Sequence, residues 1–190
     1  MSNTIINTKL SDVIRNGGVG VIPTDTLYAL AGSAFSKRAV ERIYELKHRD
    51  KKKPFIVLVY DVVDLEKFGA ILPRGFAEKA HKLWKEEPTS IILPLTKTKM
   101  VEFEYLHRGT GEMAFRIPKS EICLAFLEDF GPLVAPSANL EGEKPAETME
   151  EAKACFGDNV DFYVDGGRLS GMASRLIRLN EIGEVLVLRR

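Results

Sequence analysis

The chain carries 27 Lys and Arg against 27 Asp and Glu over 190 residues, so its formal net charge at pH 7 is zero. A neutral chain does not hold long nucleic acid by bulk charge, and any such role needs a local patch. No apolar run approaches the roughly 20 residues of a membrane-crossing helix, while 45% apolar content over this length fills one core and predicts a single domain, 1–190.

The opening MSNTIINTKL lacks a basic region followed by an apolar stretch, so no secretory leader is expected and a cytoplasmic location is. Lys9 to Asn16 is predicted as a short helix stopped by Gly17-Gly18. Val19 to Pro23 is a predicted strand that breaks into Thr24-Asp25-Thr26, after which Leu27, Tyr28, Ala29 and Leu30 suit a helix. Ser36 caps a predicted helix through Lys47 with Ala39, Val40, Ile43 and Tyr44 on one face. The apolar run Phe55 to Tyr60 predicts a central strand covered on both faces. Arg74 to Trp84 is helical by pattern, and Ser90 to Leu95 is a strand whose Pro94 points to an edge or bulge. Ala114 to Ile117 is a short strand, Ser120 to Phe130 an amphipathic helix ended by Gly131-Pro132, and Leu133 to Pro136 a further short strand. Thr148 and Glu151 form a capping box for a helix to Phe156. Strands at Asp161 to Val164, Arg175 to Leu179 and Glu184 to Leu188 close the chain. Early alternation followed by clustered strands predicts the α/β class with a mixed parallel and antiparallel sheet. Cys123 and Cys155, each in an apolar helical context, are expected as buried free thiols.

The common phosphate cradles are absent. Gly166 and Gly171 have the P-loop separation, but Met172-Ala173 stand where a lysine and a hydroxyl are needed. Gly18 and Gly20 lack the third glycine of a dinucleotide fingerprint. His48, His81 and His107 are scattered, so any metal is expected to arrive with the substrate rather than on protein ligands.

Polar groups concentrate at three places. Thr24, Asp25 and Thr26 fall at a strand's carboxyl end, where α/β sheets bind ligands, and the amides of a following helix would be free for an anion. A helix cap alone would explain one of these side chains. In Lys47 to Pro54, KHRDKKKP, five of the first seven residues are cationic; an extended chain there would put Lys47 and Arg49 on one side. Such a pair suits a polyphosphate or, alternatively, an RNA backbone, and a solvated helix end explains only one or two of the charges. In Ala135 to Asn139, Ser137 and Asn139 share a side if extended, although a plain turn has the same composition.

Taken in order, these segments resemble the YrdC/Sua5 family, the threonylcarbamoyl-AMP synthases. The matching stretches are Pro23-Thr24-Asp25-Thr26-Leu27-Tyr28-Ala29-Leu30, Lys47-His48-Arg49 before Pro54-Phe55-Ile56-Val57, and Trp84 with Pro88-Thr89-Ser90. They continue with Ala114-Phe115-Arg116-Ile117-Pro118, Ser137-Ala138-Asn139, and Asp165-Gly166-Gly167 with Gly171 and Ser174. The resemblance implies an open mixed sheet flanked by helices with a basic concave face. It implies synthesis of threonylcarbamoyl-AMP and pyrophosphate from ATP, L-threonine and bicarbonate, with Mg2+ carried on the ATP. The product would serve N6-threonylcarbamoyladenosine modification at position 37 of tRNA, and tRNA or a downstream threonylcarbamoyl transferase would be a partner. Lys47, Arg49, Ser137 and Asn139 would hold the triphosphate and stabilise its charge as pyrophosphate leaves. Thr24, Thr26 and Tyr28 would border the threonine pocket, with Arg116 or Ser174 on its carboxylate. The alternatives are a non-catalytic double-stranded RNA or tRNA-binding module using Lys51, Lys52 and Lys53, and a paralogue adenylating a different carbamoylated amino acid.

Three segments depart from the family's pattern. Asp50-Lys51-Lys52-Lys53 intervene where a proline often follows K-x-R. After Asn139 the chain reads Leu140-Glu141-Gly142-Glu143, with Glu141 where a serine is usual. Ser174-Arg175-Leu176-Ile177-Arg178 replaces a pattern that ends in aspartate.

Overall fold

A computed structural model of the chain describes residues 8–73, 75–179 and 184–190. The first seven residues of the opening stretch and Arg74, the expected start of one helix, lie outside the described residues. The elements in order are α1 (Thr8–Arg15), β1 (Val19–Pro23), β2 (Tyr28–Ser33), α2 (Lys37–Lys47), β3 (Ile56–Leu58), α3 (Asp64–Lys67), α4 (Ala77–Glu86), β4 (Thr89–Pro94), α5 (Lys97–Glu102), α6 (Glu104–His107), β5 (Glu112–Arg116), α7 (Glu121–Phe130), β6 (Leu133–Val134), α8 (Met149–Phe156), β7 (Phe162–Tyr163), β8 (Arg175–Leu179) and β9 (Val185–Arg189). Among the described residues the strands form one sheet in the order β7-β1-β2-β6-β3-β5-β4-β8-β9. The β1–β7, β3–β5 and β4–β8 pairs are parallel and the other pairs antiparallel, so the sheet is mixed as expected.

Strand alternation sends successive side chains to opposite faces. One face carries Val57, Ile91, Leu93, Phe115 and Ile177 into a core shared with α2, α4 and α8. On the opposite face Ile14 of α1 and Cys123, Phe126 and Leu127 of α7 cover Ile22, Ala31 and Leu133. That second layer is built over the β1-β2-β6 side. The cleft described below is lined by the same face of β3, β5, β4 and β8. In the run Phe55 to Tyr60, Leu58 is buried in the cluster with α7 and also borders the cleft, while Ile56, only half-buried, borders the cleft.

The expected helix over Leu27 to Leu30 is corrected to strand β2. Val19 pairs with Gly32 and Pro23 with Tyr28 in an antiparallel hairpin. Helix propensity differs by only tenths of a kcal/mol per residue, about 0.7 at most for ordinary residues, and complete burial of Tyr28 and Leu30 against the sheet outweighs it. Gly20 permits a close approach here, because a Cβ on it would lie 2.4 Å from the Phe162 ring. Three short helices, α3, α5 and α6, form where no helical period was legible. Pro94 sits past the β4–β8 pairing, which ends at Ile92↔Arg178, so its missing N–H breaks no ladder on that side.

The caps at Ser36 and Thr148 form as read, accepting from Ala39 N–H at 3.2 Å and Glu151 N–H at 3.2 Å. The Glu151 carboxylate returns to the N–H of Glu147 at 2.7 Å rather than to Thr148. Both cysteines are free; Cys123 is buried, which pushes its thiol up to about 12, whereas the expected burial of Cys155 is corrected to half-buried, beside the buried face of α8. Among the described residues no helix is long and apolar enough to cross a membrane.

Candidate active site

A cleft of about 380 Å³ opens on the sheet face left uncovered by α1 and α7. Its floor is apolar, built from Ile56, Leu58, Ile92, Ala114 and Leu176. On β5, Glu112, Ala114 and Arg116 point to this face, and Ser174, Leu176 and Arg178 do so in and beside β8. Two Arg–carboxylate pairs therefore bracket the floor: Arg116 with Asp25 at one end and Arg178 with Glu112, at 2.9 Å, at the other.

The hydroxyl cluster divides its work. Thr24 closes the β1–β2 turn: its hydroxyl donates to the Leu27 carbonyl at 2.7 Å and accepts from the Thr26 and Leu27 N–H groups, each at 3.1 Å. With that proton spent, Thr26 donates to Thr24 across 3.0 Å and accepts from Arg116 Nη1 at 3.2 Å. Asp25 Oδ1 accepts from Arg116 Nη2 at 2.5 Å. The turn thus seats a guanidinium that is only 5% exposed. Arg116 Nε and Asp25 Oδ2 find no protein partner among the described residues. The expectation of free helix amides after Thr26 is corrected, because no helix starts there.

The segment 165–174 folds over this turn. Tyr28 donates its hydroxyl proton to the Gly167 carbonyl at 2.8 Å and accepts from Gly166 N–H at 2.9 Å, with Asp165 beside it. A Cβ on Gly171 would stand 2.3 Å from the Thr26 carbonyl oxygen, so this close crossing requires glycine. Ser174 faces the cleft, and its hydroxyl is hydrogen-bonded to that of Ser90 at 2.9 Å.

The expected extended path at 47–49 is also corrected. Helix α2 ends with His48 in the left-handed region, φ 51°, and its terminal carbonyls are taken by His48 N–H and Arg49 N–H. This reversal separates the two cations. Lys47, 2% exposed, turns inward and donates to the Ser137 carbonyl at 2.5 Å, the Asn139 carbonyl at 2.6 Å and Asn139 Oδ1 at 3.1 Å. Burial, with repulsion from Arg49, lowers its ammonium to about 8. Arg49 lines the cleft, lies 5.3 Å over the Phe55 ring, and donates from Nε to the Lys53 carbonyl at 3.2 Å. Ser137 also lines the cleft and donates to Asn139 Oδ1 at 2.6 Å. Asn139 itself lies behind the wall, its Nδ2 spent on the Leu140 and Glu143 carbonyls.

The structure thus brings Thr24, Thr26, Tyr28, Arg49, Arg116, Ser137 and Ser174 to one cleft, with Lys47 and Asn139 directly behind it. It adds two arginines that sequence reasoning missed. Arg178 was within reach, since Ser174, Leu176 and Arg178 are spaced for one face of a strand. Arg189 lies in VLVLRR, whose aliphatic neighbours give no hint of a site. Pairing of β9 with β8 delivers it to Ser174, where its guanidinium donates to the carbonyl at 3.0 and 2.8 Å. Arg189 is exposed overall, but partial desolvation of its guanidinium and the charges of Arg116 and Arg49 lower its pKa, and Arg49, Arg116 and Arg189 all line the cleft. Arg116 has Asp25, whereas the hydrogen-bond partners of Arg49 and Arg189 among the described residues are neutral oxygens. The cleft therefore carries surplus positive charge, the condition for holding an anion. Of the three lysines offered for RNA, Lys51 pairs with Glu41 and Lys53 with Glu141, both on the exposed surface.

The family model described as "Telomere recombination" (Sua5, YciO and YrdC) matches residues 12–190. The chain belongs to the Sua5/YciO/YrdC family. It is 31% identical over 176 residues to the threonylcarbamoyl-AMP synthase of Pyrococcus abyssi, covering 92% of this chain and 51% of that one. The chain thus spans about half the length of that relative. Among solved structures it resembles P. abyssi Sua5 complexed with L-threonine, at TM-score 0.80 and 29% identity, over 94% of this chain and 52% of that one. It resembles E. coli YciO equally in shape, at TM-score 0.80 and 27% identity, over 95% and 86% of the two chains. The fold is the YrdC-like α/β architecture, and the family supports nucleotidyl transfer as the general type of chemistry.

Proposed function

We propose that this chain makes threonylcarbamoyl-AMP from ATP, L-threonine and bicarbonate, releasing pyrophosphate, for N6-threonylcarbamoyladenosine formation at tRNA position 37. The observation that carries this reading is the convergence of Arg49, Arg116 and Arg189 on a cleft edged by the hydroxyl turn 24–26, in a chain similar to threonylcarbamoyl-AMP synthases. Threonine and bicarbonate first lose water to give a carbamate. A carbamate oxygen then attacks the α-phosphorus as the bond to the β-phosphoryl oxygen breaks. Arg49 and Arg189 are the groups for the negative charge that moves onto pyrophosphate. Arg116, hydrogen-bonded to Asp25 and Thr26, is the group for the substrate carboxylate. Ser137 stands on the nucleotide side, and Lys47 and Asn139 hold its loop in place. Magnesium enters on the ATP phosphates and lowers their charge. Catalysis then rests on orientation and charge stabilisation.

Pyrophosphate release, assayed with ATP, threonine and bicarbonate omitted in turn, tests this. Release is expected only with all three present. Release that ignores threonine but responds to another amino acid would favour the paralogue reading, and no release with any amino acid would end the synthase reading.

A further inference from the structure

Two of the departures from the family pattern meet in space. The inserted Asp50 to Lys53 forms a tight turn, closed by Lys53 N–H to the Asp50 carbonyl at 3.0 Å and by Lys52 N–H to Asp50 Oδ1 at 2.9 Å. Glu141, which stands where the family usually has serine, reaches across to this turn with both oxygens. Oε2 accepts from Asp50 N–H at 2.9 Å and Oε1 from Lys53 Nζ at 2.6 Å. Its own N–H donates to the Lys47 carbonyl at 2.9 Å, so the same residue also grips the end of α2. The Lys53 ammonium and the Asp50 amide hold the Glu141 carboxyl below the usual carboxylate range. Lys53 in turn offers its carbonyl to Arg49 Nε and to the Tyr44 hydroxyl, at 3.2 and 3.0 Å. The direction of the Arg49 guanidinium is therefore set by a carbonyl whose residue is fastened to Glu141.

We propose that Glu141 is a positioning residue: it latches the inserted turn Asp50–Lys53 to the loop after Asn139 and thereby aims Arg49 into the cleft. The role rests on the reading of Arg49 as a phosphate-binding group. It differs in sign from simple electrostatics. A carboxylate beside an anion site repels the anion, so deleting it would tighten binding by charge alone. Deleting a latch lets Arg49 leave its productive direction and weakens binding, because small misplacements of a clamp group are costly.

Calorimetric titration of MgATP separates the two. Glu141→Ala, folded by circular dichroism, is expected to weaken ATP binding roughly tenfold, with Glu141→Gln in between because it keeps an acceptor. Combined with Arg49→Ala, the Glu141→Ala loss is expected to vanish, since contacting residues that act as one unit are not additive. The double exchange Glu141→Lys with Lys53→Glu is expected to recover part of the affinity. Tighter or unchanged ATP binding by Glu141→Ala and Glu141→Gln overturns the positioning role, as does a loss that persists without Arg49. A parent chain that binds no ATP overturns the phosphate reading on which the role rests.

Discussion

A Lys47→Met chain is expected to be less stable than the parent by about 1–3 kcal/mol and to lose turnover with it. The Lys47 ammonium is the donor that joins the end of α2 to the loop at 137–139, and it is almost wholly buried. Methionine fills similar volume but leaves the Asn139 carbonyl without this donor, while the Ser137 carbonyl keeps the Asn139 N–H at 3.1 Å; a buried acceptor left unsatisfied costs about 1–3 kcal/mol. Asn139 Oδ1 keeps the Ser137 hydroxyl and is less affected. Urea unfolding at pH 7 measures the difference. The pH dependence carries a second signature. The folded value of about 8 lies below the ordinary 10.5, so between these values the unfolded chain binds more protons than the folded one. Over that window the parent is expected to gain stability as pH rises, and the gap to Lys47→Met is expected to widen. Equal stability of the two chains at every pH would remove the clamp.

Arg49→Ala is expected to behave in the opposite way, with stability kept to within about 1 kcal/mol and turnover reduced by about 10²- to 10³-fold. Its guanidinium makes one hydrogen bond to a carbonyl and one ring contact, neither of which leaves a charge buried alone when removed. Its value lies in the cleft, where charge develops on the leaving pyrophosphate. The two cations of the K-x-R motif thus part company in mechanism, one holding the wall and the other facing the ligand. Turnover in the pyrophosphate assay, alongside urea unfolding, checks this. Parent-like turnover would return Arg49 to the status of a solvated helix end.

Much of this site was legible in the residues themselves. Thr24 and Thr26 were marked by hydroxyls at a strand end, and Arg49 by a density of positive charge that a helix terminus does not need, whereas Ser174 was marked only by the family resemblance. The sheet was legible because its strands, such as Ile91-Ile92-Leu93 in β4 and Met113-Ala114-Phe115 in β5, are short consecutive apolar runs. Other features had no local signal. Whether Leu27 to Leu30 forms helix or strand depends on the partner strand, since the pairing of Tyr28 with Pro23 is a hairpin contact and not a propensity. The outward turn of Arg49 hangs on the left-handed His48, a conformation unusual for a residue with a side chain. Arg189 enters the cleft only through the register of β8 with β9, shifted between Leu176 and Ile177. The bond between Glu141 and Lys53 joins residues 88 positions apart.

The claim beneath all of this is that guanidiniums from three separate strands and loops converge to hold one polyphosphate. Titration of MgATP into the parent and the Arg189→Ala chain, in low salt and matched buffer, tests it most directly. One site is expected in the parent, weakened at least about tenfold by Arg189→Ala, as expected for loss of a charged hydrogen-bonding partner. Equal ATP affinity in the two chains would contradict it.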